Sequence, residues 1–158
     1  MKKLLSLLLS LTLVFAMAGC GKEQTATYVM TQEEEGMQIM TDTQILKAKG
    51  DIVYELKEIT VIDFSVADDA TKEMLIGIYE EYFGGLKTNA PENVSVEYTQ
   101  TDDTYEVELV VNLDGADLQE LIKGGYISAT GDNADTMKAI SFSQTCEGLE
   151  TAGYKLQE

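Results

Sequence analysis

The sequence predicts an α+β domain of two layers, an antiparallel sheet of about five strands with helices packed on one face. Three observations carry this expectation. Runs of alternating apolar and polar residues come as a group of three and then a group of two, joined by short loops rich in Gly and Asp. One long segment between the groups repeats apolar residues at three and four spacing, the period of a helix that covers a sheet. No repeat, linker or low-complexity tract divides residues 26–158, so one globular domain is expected there.

Ahead of the domain stands a leader. Lys2 and Lys3 precede an apolar run from Leu4 to Ala16, and Met17-Ala18-Gly19-Cys20 closes it. A membrane-spanning helix needs roughly 20 apolar residues, whereas a secretory core takes roughly 7–15. A secretory signal cut before Gly21 is the other reading of the segment, but small residues ending on a cysteine are the mark of a bacterial lipoprotein signal. Residues 1–19 are then removed, Cys20 carries the lipid, and residues 20–25 are a short tether.

The first group of strands is expected at Thr25–Glu33, Met37–Ala48 and Ile52–Phe64, turning at Glu34-Glu35-Gly36 and at Gly50-Asp51. With Gly50-Asp51 as a two-residue loop and straight register, Ile45 opposes Leu56, Ile39 opposes Ile62 and Met37 opposes Phe64. All six then share a core face, because side chains alternate along a strand. Gln44 and Asp42 fall on the opposite, wet face.

Ser65-Val66-Ala67-Asp68 offers a helix start, and Thr71 to Leu86 follows with Met74, Leu75, Ile78, Tyr79, Tyr82, Phe83 and Leu86 on one stripe. A second hairpin, Val94–Thr101 and Thr104–Leu113, turns at Asp102-Asp103 and places Tyr98, Val96 and Val94 opposite Val107, Leu109 and Val111. Its other face sets Glu97 against Glu108 and Thr99 against Glu106. Opposed like charges destabilise a strand pair, so that face is expected to be solvated or to hold a cation.

Asp114 is expected to cap a short helix with Leu118, Leu121 and Ile122, ended by Gly124-Gly125. Tyr126 to Thr130 reads as a brief edge segment. Ser141 with Gln144 opens a last helix that Gly153 ends.

Composition excludes several activities. The chain carries 28 acidic residues against 11 basic ones, all lysine, with no histidine and no tryptophan. Loss of Lys2 and Lys3 with the leader moves the formal net charge from −17 to −19. Such a domain is repelled by nucleic acid, whose binding rests on Lys and Arg, and by anionic lipid. Its partner at the membrane is therefore the N-terminal lipid itself. Without histidine there is no Ser-His-Asp triad and no His-ligated zinc. No glycine-rich nucleotide loop or nucleophile elbow occurs. Paired carboxylates are the one catalytic device left, and no spacing nominates a pair.

The order of parts resembles the YehR-like bacterial lipoproteins. The resemblance rests on Cys20, the helix start Ala70-Thr71-Lys72-Glu73, the hairpin from Tyr98 to Tyr105, and the closing Ala152-Gly153-Tyr154-Lys155, over residues 26–156. It implies a compact two-layer α+β domain on a lipid anchor, with no established activity, cofactor or partner. Cys20 is the one functional residue it transfers.

The remaining candidates have structural explanations. Glu33-Glu34-Glu35, Asp68-Asp69, Asp102-Asp103, Asp114 with Asp117, and Asp132 with Asp135 sit at turns and helix starts, and none has the pattern of a calcium loop. Cys146, left without a partner once Cys20 is lipidated, is expected as a packed thiol. Tyr79, Tyr82 and Tyr98 are expected in the core; Tyr28, Tyr105, Tyr126 and Tyr154 are expected to be partly exposed. The functional expectation is a lipid-anchored, non-enzymatic protein on the extracytoplasmic side of the cell membrane. It would bind an envelope protein or a small ligand through its sheet edge or outer face, without catalytic residues, metal or cofactor. The alternatives are weak divalent-cation binding around Glu97, Glu106 and Glu108, or a carboxylate-dependent envelope enzyme.

Overall fold

The structure, a computed structural model, describes residues 21–128 and 138–157; Cys20, Asp132 and Asp135 lie outside the described residues. Three long strands come first: β1 (Glu23–Glu34), β2 (Gln38–Lys49) and β3 (Ile52–Asp63). Helix α1 (Asp69–Thr88) leads to the hairpin of β4 (Val94–Gln100) and β5 (Thr104–Asn112). Two short helices, α2 (Leu118–Lys123) and α3 (Phe142–Thr151), and a two-residue strand β6 (Lys155–Leu156) complete the chain. The fold is α+β, with six strands in the order β4-β5-β3-β2-β1-β6 and every neighbouring pair antiparallel. The sixth strand, expected by nothing in the sequence pattern, pairs only with Tyr28 and Val29 of β1.

Connectivity explains the order. Helix α1 carries the chain from β3 past one strand position to β4, and β5 turns back into the gap between them. The β4–β5 hairpin has the expected register, with Val94 opposite Val111, Val96 opposite Leu109 and Tyr98 opposite Val107. The Asp102-Asp103 tip is held by Thr101 and Thr104, whose hydroxyls are 2.7 Å apart.

The β2–β3 hairpin departs from expectation. It turns at Gly50-Asp51, with Gly50 at φ +61, the left-handed region that such tight loops give to glycine. A bulge between Lys47 and Ala48 then shifts the register by one residue. Leu46 therefore opposes Leu56 and Met40 opposes Ile62, in place of the expected Ile45–Leu56 and Ile39–Ile62 pairs. The shift turns β2 over. Leu46, Ala48, Asp42 and Gln38 are buried, while Ile45 and Ile39 are only half-buried and Met37 sits exposed in the turn.

Helix caps follow short-range chemistry. Asp68 caps α1, its carboxylate accepting the Thr71 N–H at 2.8 Å. Asp117, in place of the expected Asp114, caps α2 by accepting from Gln119 and Glu120. Ser141 caps α3 as expected, accepting the Gln144 N–H. The tip of the β2–β3 hairpin supports that cap, because the Asp51 carboxylate accepts the Ser141 hydroxyl at 2.7 Å and the Ser143 N–H at 2.8 Å. These donors hold the Asp51 carboxyl below its ordinary range.

The main core lies under α1 and α2. Ile62, Phe64, Tyr105, Val107 and Val111 of the sheet pack with Leu75, Leu118, Leu121 and Tyr126. The α1 stripe is narrower than its sequence pattern. Leu75 is buried and Ile76, Tyr79, Phe83 and Leu86 pack against the core, but Met74, Ile78 and Tyr82 stay 53–56% exposed. No helix among the described residues is long and apolar enough to cross a membrane.

Candidate functional site

A cleft of about 480 Å³ opens between the sheet and the helices, running from β2 and β3 across to core residues Val107 and Val111 of β5 and Val96 of β4. Its floor is the covered face of β2 and β3, with Leu46 and Leu56 beside Gln44, Glu58 and Thr60. Tyr79, Tyr82 and Phe83 of α1 form one wall, and Thr145, Leu149 and Tyr154 form the other. The bulge made this floor polar, because the register that buries Leu46 and Ala48 also turns Asp42 and Gln44 inward.

The polar groups are joined to one another. The Thr60 hydroxyl lies 3.4 Å from an Asp42 oxygen and 3.3 Å from a Glu58 oxygen, and Gln44 donates to Asp42 at 3.0 Å. The Tyr154 hydroxyl donates to the same Asp42 carboxylate. Toward the hairpin end, Tyr79 donates to Gln38 at 2.8 Å, and Gln38 donates to Glu34 at 3.3 Å. Asp42 is only 7% exposed, which is tolerable because both of its oxygens accept hydrogen bonds. Burial raises the Glu58 carboxyl above its ordinary range, and the neighbouring Asp42 charge adds to that. Burial also raises the Tyr154 hydroxyl, which its hydrogen bond to Asp42 reinforces.

Two helix ends aim tyrosines at the cleft by the same device. After α3, Gly153 takes φ +100 and donates to Glu150, and Tyr154 donates its N–H to Leu149 at 3.0 Å. After α2, Gly125 takes φ +78 and donates to Ile122, and Tyr126 donates to Leu121 at 3.0 Å. Both are Schellman closures, in which a left-handed glycine lets the next residue fold back over the last turn. Gly124 is required as well, since a Cβ there would meet the Tyr126 ring at 2.5 Å. The Tyr126 hydroxyl reaches the Leu86 carbonyl and ties α2 to the end of α1.

The sequence-nominated residues fall elsewhere. Glu33 to Glu35 are exposed at the β1–β2 turn, and Asp103 at the second hairpin tip pairs with Lys72 at 2.6 Å. On the outer sheet face the opposed Glu97 and Glu108 each have a lysine, Lys87 at 2.6 Å and Lys57 at 2.8 Å, while Glu106 is exposed. No group of three or more potential ligands that could hold a metal occurs among the described residues. Cys146 is half-buried on α3; burial raises its thiol, and the hydrogen bond with the Tyr28 hydroxyl works against that.

The tyrosine expectations are corrected. Tyr28, Tyr105 and Tyr126 are buried, while Tyr82 and Tyr98 are exposed. Tyr28 owes its burial to α3, where its hydroxyl donates to Glu150. Tyr105 lies among Tyr79, Phe83 and Tyr98 with ring centroids 5.6–6.2 Å apart. Its hydroxyl finds no hydrogen-bond partner among the described residues, and burial pushes it up to about 12. Gln44, Glu58, Thr60 and Tyr154 were not nominated as site residues. The available signal was the cost of the straight register: it left Leu46 and Met40 on the wet face.

Fold and cleft together define a class, an antiparallel α+β domain with a partly polar cleft between its sheet and its helices. Two solved structures share that fold. The NMR structure of the E. coli YehR protein is 21% identical, covers 86% of this chain and 91% of its own, and superposes with a TM-score of 0.62. The NMR structure of a protein from Streptococcus pneumoniae TIGR4 is 15% identical over 99% of this chain and 98% of its own, with a TM-score of 0.57. No protein-family model matches the chain, and no curated protein matches it in sequence.

Proposed function

We propose that this is a lipid-anchored, extracytoplasmic binding protein of the bacterial envelope, held by Cys20 and taking a small ligand in the cleft between β2–β3 and helices α1 and α3. The observation that carries the reading is the cleft itself. Its volume of about 480 Å³ lies within the roughly 300–1,000 Å³ of small-molecule sites, and apolar walls around a few convergent polar groups are their usual lining. The anchor part of the reading rests on the leader, in which Lys2 and Lys3 precede an apolar run that ends at Cys20. Helices on the cleft side leave the outer sheet face open, but its opposed acids already have lysines, so the covered face is the better site.

A second reading draws on the raised Glu58 carboxyl, since a perturbed acid in a cleft is a catalytic candidate. Binding is favoured over hydrolysis because glycoside cleavage needs two carboxyls flanking the bond. Here Glu58 lines the cleft, whereas the oxygens of Asp42 are engaged by Thr60, Gln44 and Tyr154.

Native mass spectrometry of the full chain taken from envelope membranes tests the proposal. A small-molecule adduct is expected on the lipidated protein and is lost in Thr145→Trp, which plugs the cleft from α3. An adduct retained by Thr145→Trp, or no adduct together with no thermal shift from a panel of amines, sugars and carboxylates, would overturn it.

A further inference from the structure

We propose that the cleft takes a small organic cation, with its ammonium group against Glu58 and its hydrocarbon body against the aromatic wall; this inference rests on the cleft being the binding site. The argument begins with charge. Among the described residues that line the cleft, Glu58 is the one charged side chain. Asp42 lies directly behind it, linked through the Thr60 hydroxyl. Among the described residues no lysine lines the cleft, and Lys47, Lys57, Lys72 and Lys87 serve Glu55, Glu108, Asp103 and Glu97, none of which lines it. The floor therefore carries carboxylates supplied with hydrogen-bond donors but with no counter-charge. A buried carboxylate without a cation is costly to the fold, and a ligand ammonium would supply what the protein omits.

The walls decide between kinds of cation. A hard metal ion wants six to eight oxygens around it, whereas Tyr79, Tyr82, Phe83, Leu149 and Leu46 surround this floor. Aromatic rings attract alkylammonium groups through their negative faces, and tyrosine is among the best at it. The formal charge of −17 adds a field that draws cations and discourages anions. Carboxylate and phosphate ligands meet repulsion at Glu58 and Asp42, with no basic residue among the described lining residues to offset it.

The experiment titrates the full chain in detergent with choline and benzyltrimethylammonium, and with 3,3-dimethylbutan-1-ol as the uncharged isostere of choline. Calorimetry at about 150 mM salt removes long-range attraction to the surface charge, which is screened beyond roughly 8 Å. At least one cation is expected to bind about tenfold or more tightly than the isostere. Glu58→Gln is expected to abolish that advantage. Tyr82→Ala, at an exposed position that should not disturb folding, is expected to weaken the cations as well. Equal affinity for cation and isostere, or full cation affinity in Glu58→Gln, would overturn the inference. A neutral or anionic ligand found to bind in the cleft, and lost in Thr145→Trp, would overturn it while leaving the binding reading intact. Absence of any cleft ligand would remove both.

Discussion

The two halves of one sheet face are built to different rules. Under α1 and α2, β4, β5 and the far end of β3 contribute Val94, Val96, Val107, Val111 and Ile62, an apolar surface. Across β2 and the middle of β3 the same face carries Asp42, Gln44, Glu58 and Thr60 beneath a cleft. The first half is apolar, and its Ile62, Val96, Val107 and Val111 form the apolar end of the same cleft. The second leaves space and keeps charge where apolar residues would pack more stably. Such a departure from packing rules is expected where function is at stake. The two halves therefore divide stability from binding, and each can be challenged separately.

The largest expected effect separates them by cavity formation. Leu121 is 1% exposed in the apolar half and does not line the cleft, and Leu121→Ala should cost about 2–5 kcal/mol in urea unfolding. Leu149 is half-buried at the cleft wall, where truncation enlarges an existing space. Leu149→Ala should therefore cost roughly 1 kcal/mol or less, since the removed groups are already partly solvated. Equal losses would mean that the cleft half is packed like the core.

A second contrast removes one hydroxyl from each half. The Tyr154 hydroxyl donates to the buried Asp42 carboxylate, so Tyr154→Phe should cost about 1.5–3 kcal/mol, the value of a hydrogen bond to a charged group. The Tyr105 hydroxyl is buried without a partner among the described residues, so Tyr105→Phe should be neutral or stabilising by up to roughly 1 kcal/mol. Matched urea curves of the two variants check the opposite signs.

A smaller effect sharpens the link between helix ends and cleft. Gly153→Ala forces a Cβ into a left-handed conformation at φ +100, at a cost of roughly 1–2 kcal/mol. Because Tyr154 is the residue that Gly153 folds back, its hydrogen bond to Asp42 should weaken with it. NMR of the Tyr154 ring would register the displacement.

These contrasts also explain which parts of the molecule the sequence disclosed. The β4–β5 hairpin could be registered residue by residue, because its Asp102-Asp103 loop joins two strands without a bulge and every inward position is apolar. The β2–β3 hairpin could not. Its bulge adds Tyr54 to β3 between Val53 and Glu55 and so reverses the alternation within β3, and no glycine marks it. With Asp42 and Gln44 on the inward face, simple alternation prefers the wrong side for β2. The residues that form the cleft floor were thus the ones that hid it. Helix starts were readable to within a few residues because Asp and Ser caps act locally, as Asp68 and Ser141 show. β6 was not readable: its two residues follow Gly153 and pair only through the position of β1. Tyrosine exposure depended on tertiary placement, so α3 over Tyr28 and α1 over Tyr105 decided what spacing alone could not.

The account turns on Glu58 being a carboxylate that the fold holds against its own stability. Its folded-state value lies above the ordinary carboxyl value of 4.5, so the folded protein binds more protons than the unfolded chain between those two values. Stability therefore falls as pH rises from the unfolded value through the folded one. Glu58→Gln has no such titration and keeps an oxygen for Thr60. The direct measurement is the difference in unfolding free energy between Glu58→Gln and the unaltered protein, followed by urea unfolding from pH 4 to pH 7. The account predicts that the variant is the more stable at pH 7 and that its advantage shrinks as pH falls below the folded-state value. A variant less stable than the parent at pH 7, or a difference that does not change with pH, would contradict it.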